Sequence, residues 1–186
     1  MNNHQNMENP QKGGRMHDPI TLFSYFTKRY GANKMATTYV VNILGLKTGE
    51  AISGTTSNIR FLRTPEAEIL NAFFRSKLKP VAFKAKRLPE FEQSKRSDFT
   101  KVYLISYFKK KYGKSWSGIE HICQKLGLQL REANHGTRYR HFYLTEPDAK
   151  MLAEYFKSGE KLSDFADKKA VAQAEDATQS EEGTNE

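Results

Sequence analysis

The chain has very few cysteines and no long apolar run. Cys123 is the one cysteine among 186 residues, which excludes an internal disulfide and a zinc site built from cysteines. No apolar run approaches the roughly 18 residues that a membrane-spanning helix needs. The first residues, MNNHQNMENPQKGG, have no apolar stretch after a charge, so we expect no secretory signal there. We therefore expect a cytoplasmic, nucleoid-associated protein, or a nuclear one in a eukaryote.

Motifs that mark common enzymes and metal sites are also missing. The sequence contains no Gly-Lys-Ser/Thr phosphate loop and no His-Glu-x-x-His helix. The histidines do not fall at metal-ligand spacing, and Cys123 lies on the apolar face of a predicted helix, where we expect it to be buried. We therefore expect no enzyme activity, no metal and no cofactor.

The charge is positive and unevenly distributed. Lys and Arg number 30 against 21 Asp and Glu, a net charge of +9. Residues 159–186 hold eight acids and three lysines, a net charge of −5, which leaves +14 on residues 1–158. Excess positive charge on the body of a protein attracts polyanions, nucleic acid first among them. We expect a disordered N-terminal tail at 1–17 and an acidic, largely disordered tail at 160–186.

An internal repeat organises the chain between these tails. With a shift of 82 positions, residues 22–76 pair with residues 104–158 without a gap, and 20 of the 55 pairs are identical. Repeats of this kind indicate two copies of one structural unit. We predict module one at 18–78, a basic linker at 79–98 and module two at 99–159.

Each module is predicted to be mainly helical. Asp18-Pro19 is typical of a helix start and Gly31 of a helix end. A second helix ends at Gly45 or Gly127, and a polar stretch after it could hold a brief third helix. An alternating aromatic and basic segment at 58–63 or 139–144 predicts a strand, and a last helix follows. The predicted fold class is mainly α with short β elements (α+β), in the order α-α-(α)-β-α.

One segment carries a family resemblance. The sequence IEHICQKLGL at 119–128, followed by TRYR at 137–140, resembles helix-turn-helix and winged-helix DNA-binding domains of the excisionase and MerR class. In that class a Leu-Gly turn precedes the recognition helix, and an Arg-Tyr-Arg-like strand leads to the last helix. The resemblance implies two tandem winged-helix-like modules that bind duplex DNA as an intramolecular pseudo-dimer. A role as a regulator, or as an accessory factor in replication, segregation or recombination, would fit a DNA-binding protein of this size.

The candidate contacts lie at the first-helix ends, in the polar stretches, on the predicted strands and in the linker. Cations there suit phosphate contacts, and Arg, Asn and Gln can make bidentate contacts with base edges. The predicted nucleic-acid-binding residues are Lys28, Arg29, Lys34, Lys47, Thr48, Arg60, Arg63, Lys84, Lys86, Arg87, Lys109, Lys110, Lys111, Lys114, Gln129, Arg131, Asn134, His135, Arg138 and Arg140.

Plainer interpretations stay open for these residues. Cations at a helix C-terminus also stabilise the helix dipole, and aromatics at helical spacing, such as Tyr25 and Tyr30, are more often core than base-stacking platforms. Basic residues on a strand are often no more than its solvated face.

Three other functions remain open from the sequence. The protein could bind RNA or single strands, or it could be an adaptor that binds a second copy or another protein through its apolar faces or acidic tail. Glu50 and Glu132, the one acidic pair identical in both modules, could also form a nuclease from two half-sites.

Overall fold

The structure is a computed structural model, and it describes residues 15–54, 59–91, 101–136 and 141–182. The first half contains β1 (Arg15–Leu22), α1 (Phe23–Tyr30), α2 (Lys34–Leu44), β2 (Gly49–Ile52), β3 (Ile59–Arg63), α3 (Thr64–Ser76), α4 (Pro80–Lys86) and a short 3-10 helix (Leu88–Glu90). The second half contains β4 (Lys101–Leu104), α5 (Ile105–Tyr112), α6 (Trp116–Lys125), β5 (Leu130–Asn134), β6 (His141–Thr145), α7 (Glu146–Ser158) and α8 (Leu162–Glu182).

The six strands close into one barrel to which both repeats contribute. Its strand order is β1-β3-β2-β4-β6-β5. Pairs within a repeat are antiparallel, whereas β2·β4 and β1·β5, which join the repeats, are parallel. Equivalent pairs share one register, because Ile20 lies opposite Arg63 just as Val102 lies opposite Thr145. The repeat in the sequence is therefore a pseudo-twofold axis in the structure.

Strand directions fix what lies at each end of the barrel. Strands β1, β2, β4 and β5 run one way, and β3 and β6 run the other. The pseudo-twofold axis therefore runs along the barrel. The β2–β3 and β5–β6 turns meet at one end, where α1 and α5 also begin. We call this the turn end, defined by residues 53–54, 135–136 and the helices α1 and α5. Helices α3 and α7 begin at the opposite end.

Apolar side chains fill the barrel and two layers outside it. Alternate residues of a strand face opposite sides, and the inward set is matched between repeats. The barrel interior consists of Ile20, Leu22, Ala51 and Phe61 with their equivalents Val102, Leu104, Ala133 and Tyr143. A separate cluster under each repeat's helices packs against the outside of the barrel. The helices therefore surround a shared sheet, and both repeats build its core.

The predicted fold class is wrong, because the described residues form a mixed barrel with surrounding helices instead of two winged-helix-like modules. The polar stretches that could have held a brief third helix contain the strands β2 and β5. Ala51 and Ala133 on these strands are 0% and 2% exposed and point into the barrel. A helix there would remove the strands that join the repeats, so the resemblance to winged-helix domains does not extend to the fold.

The predicted start of the first helix is also wrong. Asp18-Pro19 lies within β1, and α1 begins only at Phe23. The pairing of β1 with β5 shifts register between Met16 and Ile20. Pro19 lies in this irregular stretch, and its missing N–H group suits a break in the ladder.

The structural repeat extends further than the identities indicate. Phe83 of α4 and Phe165 of α8 are 82 residues apart and are 1% and 6% exposed. Helix α4 packs on α2, and α8 packs on the equivalent helix α6. The linker expected at 79–98 therefore contains α4. The tail expected to be largely disordered at 160–186 contains α8, which begins with a buried aromatic contact between Phe165 and Tyr155.

Within the described ranges, none of the helices combines the length and apolar character needed to span a membrane.

Candidate nucleic-acid interface

The two repeats contact each other closely at the turn end. A Cβ atom placed on Gly136, in the β5–β6 turn, would lie 2.9 Å from the Cα atom of Tyr25 in α1. The equivalent Gly54, in the β2–β3 turn, lies against Tyr107 of α5 at 3.2 Å. Each hairpin turn of one repeat therefore packs on the first helix of the other, and both glycines have the positive φ that a side chain disfavours.

This packing selects one face of each first helix. The Cβ atom built at Gly136 lies 3.4 Å from Lys28 Cβ, and the one at Gly54 lies 3.5 Å from Lys110 Cβ. In each helix this lysine follows the contacted tyrosine by three residues, so both lie on one helical face. Lys28 and Lys110, two of the basic residues that the sequence indicated at the first-helix ends, therefore lie beside the hairpin turn of the other repeat.

A tyrosine hydroxyl holds the next cation in each repeat. Arg29 donates from an Nη atom to the Tyr25 hydroxyl, and Lys111 donates from Nζ to the Tyr107 hydroxyl, both at 2.7 Å. The hydrogen bond to Tyr107 raises the pKa of Lys111 above its ordinary value. Arg29 and Lys111 also lie 5.5 and 5.1 Å from the centres of these rings, within cation–π range. Both cations are exposed and keep their charge at neutral pH.

Two histidines of the second repeat, His135 and His141, lie next to Lys28 of the first repeat. We call these three residues the seam cluster. The Lys28 ammonium lies 2.9 Å from His135 Nδ1, and the His135 and His141 rings stack with centroids 4.4 Å apart. Burial, then His141 and then Lys28 lower the pKa of His135. Burial followed by Lys28 lowers the pKa of His141. Both rings are therefore mainly neutral at pH 7.

The described segments of the turn end carry basic residues and no carboxylate. Residues 23–31, 53–54, 105–113, 134–136 and 141 contain no Asp or Glu. Within the described ranges, the cations of α1 and α5 form no ion pair. The opposite end has acids where α3 and α7 begin, including Glu66 and Asp148. The barrel therefore has a basic end and an end of mixed charge.

Several predicted contact residues lie away from the turn end. Arg131, at the start of β5, lies 3.5 Å from a carboxylate oxygen of Asp148, an ion pair too long to be a strong hydrogen bond. Burial raises the pKa of Asp148, and Thr145 and Arg131 oppose that rise. Arg131 is thus engaged with α7. The other members of the predicted set at this end are Lys47, Thr48, Arg63 and Gln129.

The remaining predicted residues are distributed around the barrel. Asn134 and Lys109 lie at the turn end, the former accepting from the Gly136 N–H group at 3.2 Å. Arg60 lies opposite Glu50 in the β2·β3 register. Lys84, Lys86 and Arg87 lie on α4 or next to it. Lys34 and Lys114 lie near the connections between the first and second helices of each repeat. Arg138 and Arg140 lie outside the described residues.

The acidic pair considered for a nuclease does not converge. Glu50 and Glu132 neighbour the inward-facing Ala51 and Ala133, so both carboxylates face outward. Their strands are three positions apart in a six-stranded barrel, on opposite sides. The described residues contain no group of three potential metal ligands. Cys123 is buried as expected, and burial raises the pKa of its thiol to about 12.

Local sequence signals did not reveal the grouping of Lys28 with His135, which are 107 residues apart. The repeat was the one signal that could have placed them together, because it makes each first helix and each hairpin turn part of a symmetric pair. No protein-family model, curated protein or solved structure matches the chain.

Proposed function

We propose that this protein binds duplex DNA through the turn end of its barrel. The observation that carries the proposal is that two matched basic helix faces lie at the same end of one closed sheet. Lys28 of α1 lies beside the β5–β6 turn and Lys110 of α5 lies beside the β2–β3 turn, and Arg29 and Lys111 follow them on the same helices. Cations held on a framework pair with phosphates at a lower entropic cost than cations on flexible tails.

The charge distribution supports a polyanionic partner. A surface that used its lysines only for solubility would be expected to intersperse acids among them. The described segments of the turn end contain none. The sequences TTSN at 55–58 and TRYR at 137–140 also lack acids, and the second contains Arg138 and Arg140. These segments together therefore contain only positively charged or neutral side chains.

The pseudo-twofold axis favours a duplex over a single strand. The axis runs along the barrel and relates α1 to α5, so it passes through the turn end. The two strands of B-DNA are likewise related by a dyad, and twofold proteins commonly match it. Four cations in two related pairs suit phosphates on both strands, whereas a single strand has no such symmetry.

The salt dependence of binding tests the proposal. We expect fluorescence anisotropy with a labelled 20-base-pair duplex to give a log K against log salt slope of roughly −4, because each phosphate contact contributes about −0.9. Single-stranded DNA and double-stranded RNA of equal length are the comparison ligands, and both are expected to bind more weakly. Absence of duplex binding even at low salt would overturn the proposal. Tighter binding of single-stranded DNA or of double-stranded RNA would instead assign the protein to the class that binds that ligand.

A further inference from the structure

The seam cluster of Lys28, His135 and His141 has a composition that needs explanation. An ammonium group can only donate hydrogen bonds. At 2.9 Å from Lys28 Nζ, His135 Nδ1 must therefore be the acceptor, which leaves the His135 proton on Nε2. His141 stacks on the same ring at 4.4 Å. Three basic groups from two repeats thus meet within hydrogen-bond and stacking distance.

No described carboxylate balances these three groups. Around the cluster, α1 contributes Lys28 and Tyr25, and β1 places Thr21 beside Asn134. The charged groups that act on the two rings are Lys28 and, for His135, also His141. A protonated histidine here faces like charge and partial burial, both of which disfavour it. A bound anion would remove that penalty and would accept hydrogen bonds from all three groups.

We propose that Lys28, His135 and His141 form a phosphate-binding site that takes up a proton when a backbone phosphate of nucleic acid occupies it. The proposal rests on the proposed function and extends it, since it names the contact and its chemistry. The Lys28 ammonium shifts its donation from His135 Nδ1 to the phosphate. His135 can then bind a proton at Nδ1 and donate as well, and stacked His141 supplies the other imidazole.

The other repeat supplies an internal control. The positions equivalent to Lys28, His135 and His141 are Lys110, Ser53 and Ile59. That half has a lysine beside the hairpin turn but no imidazole at the equivalent positions. There the Ser53 carbonyl instead accepts a hydrogen bond from the Ser106 hydroxyl at 3.2 Å. We therefore expect proton uptake only in the half of the surface that contains Lys28, His135 and His141.

The pH dependence of DNA binding tests the site. The pKa values of His135 and His141 start below the ordinary value, and bound phosphate should raise them. Binding of DNA then takes up protons, so the affinity for the duplex should increase as the pH falls from 8.0 to 5.5. Uptake of one proton changes the affinity by about 10-fold per pH unit where it operates. A variant with H135Q and H141Q should lose most of this pH dependence, so its affinity for the duplex at pH 5.5 should fall below that of the unsubstituted chain. K110A should weaken binding at both pH values without changing their ratio.

NMR of the imidazole rings reports the site directly. Their pKa values are measured in the full chain in chloride buffer, with duplex DNA and, separately, with inorganic phosphate. A rise in both pKa values with DNA supports the proposal, whether or not inorganic phosphate acts alone. Intact DNA binding with unchanged histidine pKa values would overturn the site and leave the proposed function standing. A rise with inorganic phosphate but none with DNA would overturn its assignment to nucleic acid.

Discussion

Removal of two charges from either first helix is expected to weaken duplex binding by about 10-fold, and removal of all four by about 100-fold. The variants are K28A/R29A in α1 and K110A/K111A in α5. Loss of two phosphate contacts should lower the salt slope by about 1.8, since each contact releases about 0.9 counterion. The effects should add, because the two pairs belong to different repeats and share no partner. Anisotropy titrations at several salt concentrations measure both quantities.

A charge-matched control separates local contact from net charge. The variant K47A/K125A also removes two positive charges, but Lys47 precedes β2 and Lys125 ends α6, so both lie toward the opposite end of the barrel. We expect less than about a threefold loss of affinity from it, since exposed charges beyond a Debye length are largely screened. Equal losses from the control and the two first-helix variants would show that net charge alone drives binding. That result would contradict the proposal that the turn end is the DNA-binding surface.

Substitution of Gly136 by alanine is expected to destabilise the protein by about 3 kcal/mol. Gly136 has φ of +75°, and the added Cβ atom would lie 2.9 Å from the Tyr25 Cα atom and 3.3 Å from its carbonyl oxygen. A left-handed conformation costs a non-glycine residue about 1–2 kcal/mol, and overpacking against backbone costs about 1–3 kcal/mol more. Urea denaturation followed by circular dichroism gives the change in unfolding free energy.

The matched control for this substitution is Gly113→Ala. Gly113 follows α5 with φ of +64°, and nothing lies within 4 Å of a Cβ atom added there. The control therefore carries the backbone strain without the contact between repeats, and about 1–2 kcal/mol is expected from it. Gly54→Ala, with its contact at 3.2 Å, should fall between the two. Equal losses at Gly136 and Gly113 would contradict the close packing of hairpin turn on helix.

The repeat could be predicted because 20 of its 55 aligned pairs are identical, and several helices could be predicted because the residues that mark their ends are local signals. Helices α2 and α6 end at the expected Leu-Gly turns, and α3 and α7 begin beside Pro65 and Pro147. The true caps of α2 and α6 are Asn33 and Ser115, whose side chains accept from the N–H groups three residues on. These positions are equivalent in the two repeats, so a comparison of the copies could have found them.

The barrel could not be predicted because its decisive pairs are distant in sequence. Strand β1 pairs in parallel with β5, so Ile20 lies opposite Ala133. Parallel strands have no hairpin turn to mark them, and β2 and β4 each have only four residues. For the same reason, the grouping of residues at the turn end could not be predicted from the sequence. The sequence contains the basic residues of α1 and α5, but the proximity of Lys28 to His135 and of Lys110 to Gly54 depends on the closure of the barrel.

A map of amide chemical shifts during titration with duplex DNA tests the central claim most directly. Changes in the ¹H–¹⁵N spectrum of the full chain should concentrate in residues 23–31, 53–54, 59–60, 105–113, 134–136 and 141–142. These residues lie at the turn end. Helices α3 and α7 should change little. Changes centred on the starts of α3 and α7, or on α4, would contradict the account and place the nucleic acid on another surface.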